Sequence, residues 1–185
     1  MAGQLRIIGG EWRGRRFPVA QASGLRPTAD RNRETLFNWL QGDVEGARVL
    51  DLFAGTGALG LEALSRGAEN AVFVEKRRPV AQSLQALIRR LEAGIRAEVV
   101  MADARRYLEG SPHQFDVVFL DPPFRAGLLP GVMEQLQKGG WLVPGARVYV
   151  ESGIEETPLS PPDDWSCRRE KTAGGVCYRL FQAGG

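Results

Sequence analysis

Soft metal ligands are scarce in this chain of 185 residues, which has two cysteines, Cys167 and Cys177, and one histidine, His113. With no Cys-x-x-Cys pair, the set is too small for a zinc site, so no metal is expected, and the two thiols are expected to be free in a reducing compartment. His113 falls in the polar run Ser111-Pro112-His113-Gln114 and is expected in a loop, not as a catalytic base. The N-terminus lacks an apolar segment of signal-peptide length, and no stretch is long enough to cross a bilayer. No repeat or low-complexity segment occurs. A soluble, cytoplasmic protein without a membrane partner is expected.

What is present is enough for one domain with a modest appendage, since 43% of residues are hydrophobic and that content can bury a real core. The net charge of +2 is unremarkable. Its distribution is not: residues 1–40 hold seven arginines, Arg6, Arg13, Arg15, Arg16, Arg26, Arg31 and Arg33, against Glu11, Asp30 and Glu34. Such a basic front suits a polyanionic partner, nucleic acid above all, the plainer alternative being an ordinary solvated surface.

The rest of the chain is organised around residues 48–60, where a short apolar run ends in a glycine turn and an amphipathic stretch follows. This pattern predicts a buried parallel strand, a tight loop and a helix whose free N–H groups face the loop. Gly55, Gly57 and Gly60 would permit positive φ and close approach of a ligand. The spacing matches Gly-x-Gly-x-x-Gly, and Glu75, 20 residues after Gly55, stands where a ribose-binding carboxylate belongs. Alone, this would suggest a nicotinamide dinucleotide. Asp51 argues otherwise, because a carboxylate in the crevice repels pyrophosphate and attracts a cation. S-adenosylmethionine carries a sulfonium, an ammonium and no phosphate.

Along the chain, residues 5–8, Gly9-Gly10 and 11–17 read as a hairpin, and Thr28 can cap a helix running to about Leu40. Strands follow at 48–54, 71–75, 97–103, 115–121 and 147–151. Between them lie helices from Gly57 to about Gly67, from Pro79 through Leu91, and near 128–138. A turn at Gly174-Gly175 and a strand at 176–181 close the sheet as an antiparallel pair. Strand and helix in alternation give an open, mostly parallel α/β sheet with its crevice at the carboxyl ends of the strands. Asp51, Glu75, Asp103 and Asp121 would then share one rim. Any one could merely cap a helix; four around a glycine loop make a ligand cup.

Asp121-Pro122-Pro123-Phe124 is the most specific feature. Two prolines after a buried strand fix φ and hold the exit rigid. Acceptors at the Asp121 carboxylate and the Pro122 carbonyl can each take a hydrogen of a planar exocyclic amine, aiming its lone pair at the donor methyl, while Phe124 stacks on the base. Methyl transfer is then an in-line displacement in which positioning is the main work. Flipping the base from a stack costs a few kcal/mol, partly returned by Phe124.

These residues resemble the class I adenosylmethionine-dependent methyltransferases that act on amino nitrogens. Arg6-Ile-Ile-Gly-Gly10, Trp12-Arg-Gly14, Arg26-Pro-Thr28, Asp30-Arg31, Arg33 to Trp39, Gly57 to Ala63 and Glu151-Ser152 are similar to the bacterial RsmD family, guanine-N2 methyltransferases of small-subunit ribosomal RNA. The resemblance implies a Rossmann-like fold with a seven-stranded sheet whose last strand is antiparallel, and a guanine of 16S ribosomal RNA (guanine 966) presented by the small subunit. It implies an RNA-holding hairpin and helix over residues 1–46 and a methyltransferase domain over 47–185. By position it puts Asp51, Gly55 and Gly57 at the methionine end of the cofactor, Glu75 at the ribose, Asp103 and Ala104 at the adenine, Phe53 also against the cofactor, and Arg26 and Thr28 closing over it. Asp121 to Phe124 would hold the guanine, with Arg6, Arg13, Arg15, Arg16, Arg31 and Arg33 on the RNA, in a monomer. Rival readings are an adenine-N6 or protein-amide methyltransferase, an NAD-dependent oxidoreductase, and a non-catalytic RNA-binding module.

Overall fold

The computed structural model describes residues 3–19, 30–156 and 158–184. The chain opens with β1 (Gly3–Arg6) and β2 (Arg16–Val19), an antiparallel pair with Leu5 opposite Phe17 and Arg6 opposite Arg16. The expected glycine-pair turn is instead a loop over residues 7–15. It folds back on itself through Gly14 N donating to Ile7 O and Ile7 N donating to Arg15 O. Helix α1 (Asp30–Trp39) follows, burying Leu36 and Phe37 as its apolar stripe requires.

From there the alternation holds: β3 (Arg48–Asp51), α2 (Ala58–Ser65), β4 (Asn70–Val74), α3 (Arg78–Arg90), β5 (Ala97–Val100), α4 (Ala104–Tyr107), β6 (Phe115–Leu120), α5 (Leu129–Lys138) and β7 (Leu142–Gly153). A 3-10 turn (Ile154–Glu156) precedes β8 (Ser166–Ala173) and β9 (Val176–Gln182). Pro79 lies in the first turn of α3, where a missing N–H costs nothing, and the buried Val80, Leu84, Leu87 and Ile88 form its inner face. Helix α4 is not foreshadowed in the sequence reading, being a single turn capped by Asp103. Strand β7 begins five residues before the expected start.

The seven-stranded sheet has the order β5-β4-β3-β6-β7-β9-β8, with β5 to β7 parallel and β9 antiparallel to both its neighbours. Its first strand pair crosses back at β3 and β6, the point where such sheets open a ligand crevice above their carboxyl ends. One face is covered by α1, α2 and α3 and carries Phe73, Phe119, Tyr149 and Leu180. The other, with Leu50, Val118, Val148 and Trp141, packs α4 and α5.

The hairpin is built into the first of these cores, contributing Leu5, Ile7, Trp12 and Phe17 to the same cluster. Its loop docks on the far end of α2. The fully buried Glu62 accepts from Ile8 N at 2.9 Å and Gly9 N at 2.8 Å, and Ser65 Oγ accepts from Trp12 N at 2.9 Å. At the other end, Val19 lines a small cleft with Gly55, Thr56 and Ser83 beside the glycine loop. No helix among the described residues is long and apolar enough to cross a membrane.

Candidate active site

Parallel strands in this order deliver their terminal acids to one rim in a row. Asp103 follows β5, Glu75 follows β4, Asp51 ends β3 and Asp121 follows β6. At about 4.8 Å per strand the row from β5 to β6 is roughly 14 Å long.

Asp51 is 2% exposed, and its Oδ2 accepts from Gly60 N at 3.0 Å. Burial pushes its carboxyl up to about 7 against the pull of that N–H, and the Asp121 and Glu75 charges push the same way. Glu75 is buried too, with Oε2 accepting from Gly55 N at 3.0 Å. Its Oε1 accepts from Arg77 N and Nε at 2.8 Å each, and Arg77 Nη2 reaches Oε2 at 3.3 Å. Four donors fill the acceptor sites of one carboxylate. The Arg77 guanidinium, whose side chain is one-third exposed, thus occupies the carboxylate that the sequence assigned to a ribose.

The glycines separate by role. Gly57 has φ +78°, and a Cβ there would stand 2.5 Å from Leu84 Cδ1; a Cβ on Gly60 would run into the Phe73 ring. Both are glycine so that α2 can pack on α3 and β4, a packing requirement where the sequence suggested ligand approach. Phe53 is half-buried against the second core, and Ala104 is buried. Asp103 is exposed and accepts from Arg105 N at 3.0 Å as the cap of α4, so it also has the plain structural role that the sequence left open. Arg26 and Thr28 lie outside the described residues.

Asp121 is half-buried at the mouth of the crevice, and burial raises its carboxyl to about 7. Pro122 is buried, Pro123 exposed, and Phe124 half-buried against the core under α1 to α3. The loop is pinned from outside: Arg125, at φ +62°, donates from its backbone N to Glu156 Oε1 at 3.0 Å and from Nε to Glu155 Oε1 at 2.8 Å. Next to Asp121 lies a group that the sequence tied to the family resemblance without giving it a role in the site. Glu151 is 5% exposed and accepts from the Tyr149 hydroxyl at 2.9 Å, and Tyr178 accepts from Asn32 Nδ2 at 2.6 Å. The signal was present, because the fifth strand ends in an acid like the other four.

The arginines divide. Arg6, Arg13, Arg15, Arg16 and Arg31 are exposed. Arg13 and Arg15 ride on the loop at the far end of α2, which is eight residues long, or about 12 Å from the glycine loop. Arg31 stands in the first turn of α1 beside Asn32, near the acid rim. Arg33 departs from the exposed position expected of it: it is 1% exposed, with Nη2 donating to Arg6 O and Asp30 Oδ1, so it braces α1 against the hairpin. Among the described residues no cluster of three or more His, Cys, Asp or Glu could hold a metal.

Strand order, glycine loop and acid row define a class I adenosylmethionine-dependent methyltransferase fold. The family model described as Conserved hypothetical protein 95 matches residues 5–182. The chain is 52% identical over 183 residues to ribosomal RNA small subunit methyltransferase D of Escherichia coli, covering 98% of this chain and 91% of that protein. It is 45% identical over 184 residues to the Haemophilus influenzae protein of the same name, covering 97% and 94%. The solved structure of yhhF from Escherichia coli has a TM-score of 0.93 at 48% identity, covering 98% of this chain and 99% of that one. The chain belongs to the RsmD family of methyltransferases.

Proposed function

We propose that the protein transfers the methyl group of S-adenosylmethionine to the exocyclic N2 of a guanine in 16S ribosomal RNA, guanine 966, on the assembled or assembling small subunit. The observation that carries this is the order of the acid row. Asp103, Glu75 and Asp51 succeed one another across β5, β4 and β3, as the adenine, ribose and cationic methionine of an extended cofactor would, and Asp121 comes next, where the methyl would be. The residues fit the cofactor: a buried carboxylate beside a glycine loop favours a sulfonium and ammonium and disfavours the pyrophosphate of a dinucleotide.

The cofactor supplies an electrophilic methyl. This chain supplies position and a proton acceptor. Asp121 and the Pro122 carbonyl orient the amine, the rigid Pro122-Pro123 exit keeps them in place, and Phe124 offers a ring to the base. The nitrogen lone pair forms the new N–C bond as the C–S bond breaks towards sulfur, and Asp121 accepts the proton that the alkylated amine sheds. Residues 1–46 serve as the RNA-holding appendage on a methyltransferase domain of residues 47–185, with Arg6, Arg13, Arg15, Arg16 and Arg31 facing RNA. The protein works as a monomer in the cytoplasm. Incubating it with radiolabelled cofactor and small subunits from a strain lacking the gene, then locating the modified nucleotide by mass spectrometry, tests the reading. N2-methylguanine at that position is expected, and label on adenine or protein would overturn it.

A further inference from the structure

Glu151 has no part in the chemistry so far. Strands β6 and β7 run parallel with Phe119 beside Tyr149 and Leu120 beside Val150. The next step of that register brings Asp121 beside Glu151. Neighbouring strands lie about 4.8 Å apart and side chains alternate between faces, so the two carboxyl groups are neighbours on one face. The Tyr149 hydroxyl donates to Glu151 Oε1, which leaves Oε2 for Asp121. Two carboxylates this close, in a site with little water, do not both ionise near neutrality.

The charged and titratable groups around Glu151 do not relieve the crowding. On β9 its register partner is Tyr178, and on β8 the partner of Tyr178 is Lys171, a strand further away. Arg179 bonds Ser152 Oγ at 3.1 Å and Glu170, on the opposite face. From β3, Asp51 adds another acid, and α1 contributes the neutral Asn32 with the exposed Arg31 beside it.

We infer that Asp121 and Glu151 act as one carboxyl pair holding a single proton, with Glu151 the positioning residue that donates it to the inner oxygen of Asp121. The outer oxygen of Asp121 is thereby held towards the substrate amine as a fixed acceptor. When the amine is alkylated, its proton passes to that outer oxygen, the pair becomes neutral, and one proton leaves to solvent before the next turnover. Burial and the Asp121 charge raise Glu151 well above the usual carboxylate range, partly offset by the Tyr149 hydroxyl, and burial raises Asp121 to about 7. Tyr149 and Tyr178 are pushed up as well, the latter to about 12, and they keep their own protons.

This rests on the N2-methylation reading, and the experiment separates the two. Rates of methyl transfer to unmodified small subunits would be followed against pH for wild type, Glu151→Gln, Glu151→Ala and Tyr149→Phe. The amide of Glu151→Gln donates at every pH. It should therefore lower kcat only about threefold and lose the alkaline limb, with KM and cofactor Kd within about twofold. Glu151→Ala should lower kcat by roughly 100-fold. Tyr149→Phe should move the alkaline limb up by about one pH unit. A Gln variant as impaired as the Ala variant, with an unmoved limb, would overturn the pair. Carboxyl 13C titration of the wild-type protein decides even if a variant does not fold: a Glu151 protonated at pH 7 supports the pair, and an ordinary carboxylate midpoint overturns it. Absence of N2-methylguanine with wild type would instead defeat the underlying reading.

Discussion

Burial sets the charge on Asp51, and the charge sets when it can hold a cation. With its carboxyl raised to about 7, the folded protein keeps a proton that the unfolded chain gives up near pH 4. Stability from this group is therefore full below pH 4, erodes as the pH rises to 7, and is constant above. The slope is at most about 1.4 kcal/mol per pH unit. The cofactor's positive charge favours the ionised form, so its affinity should climb as the pH approaches 7. Asp51→Asn keeps an acceptor for Gly60 N and removes the titration. Its melting temperature should gain on wild type between pH 5.5 and 7.5, and S-adenosylmethionine should bind it more weakly at pH 7.5 in calorimetry. Parallel melting profiles would remove this role. Asp121 should behave differently, because the proposed mechanism places it against the substrate. Asp121→Ala should cut turnover by 10²-fold or more while leaving cofactor Kd within about twofold, as read by single-turnover kinetics and titration calorimetry.

At the scale of elements, the parallel sheet was legible because its strands are short, uniformly apolar runs closed by acids or glycines, and α3 because its apolar residues recur at helical spacing with Pro79 at the start. What escaped was set by partners distant in sequence. Gly9-Gly10 looks like a two-residue turn until Glu62, 53 residues away, takes the N–H of Gly9 and makes a wider loop the better solution. Arg33 looks like its neighbours until Asp30 and the Arg6 carbonyl draw its guanidinium inside. In the site, the acids at strand ends could be read from sequence, whereas the Asp121–Glu151 neighbourhood needs the register of β6 on β7. The Glu62 connection carries its own prediction. Glu62 is fully buried, accepts from Ile8 N and Gly9 N, and pairs with Arg66 Nε at 2.8 Å. Glu62→Ala leaves two N–H groups without their acceptor and should cost about 2–4 kcal/mol in denaturant unfolding. Hydrogen exchange should speed up across residues 5–17 and not in β6 or β7. A loss below about 0.5 kcal/mol would mean the hairpin holds by its apolar residues alone.

Across the whole molecule, charge is sorted by place: carboxylates at the sheet's carboxyl rim, exposed arginines along the hairpin on the flank of α2. The rim attracts a cationic cofactor and would repel RNA phosphate, so RNA needs its grip elsewhere while one base reaches the rim. On the reading proposed above the hairpin would supply it, because its apolar residues share the core of the sheet and its arginines therefore sit at a fixed distance from Asp121. Arg13, Arg15 and Arg16 neutralised together should weaken binding to unmodified small-subunit RNA and lower the slope of log K against log salt by about 2, given roughly 0.7 per phosphate contact on single strands. Arg33→Met, whose charge is already inside, should leave that slope unchanged and alter only stability. The two variants separate a basic surface from basic composition. An unchanged slope in the triple variant would move the RNA footprint off the hairpin, towards Arg31 and the rim itself, and the appendage would then serve the fold and not the substrate.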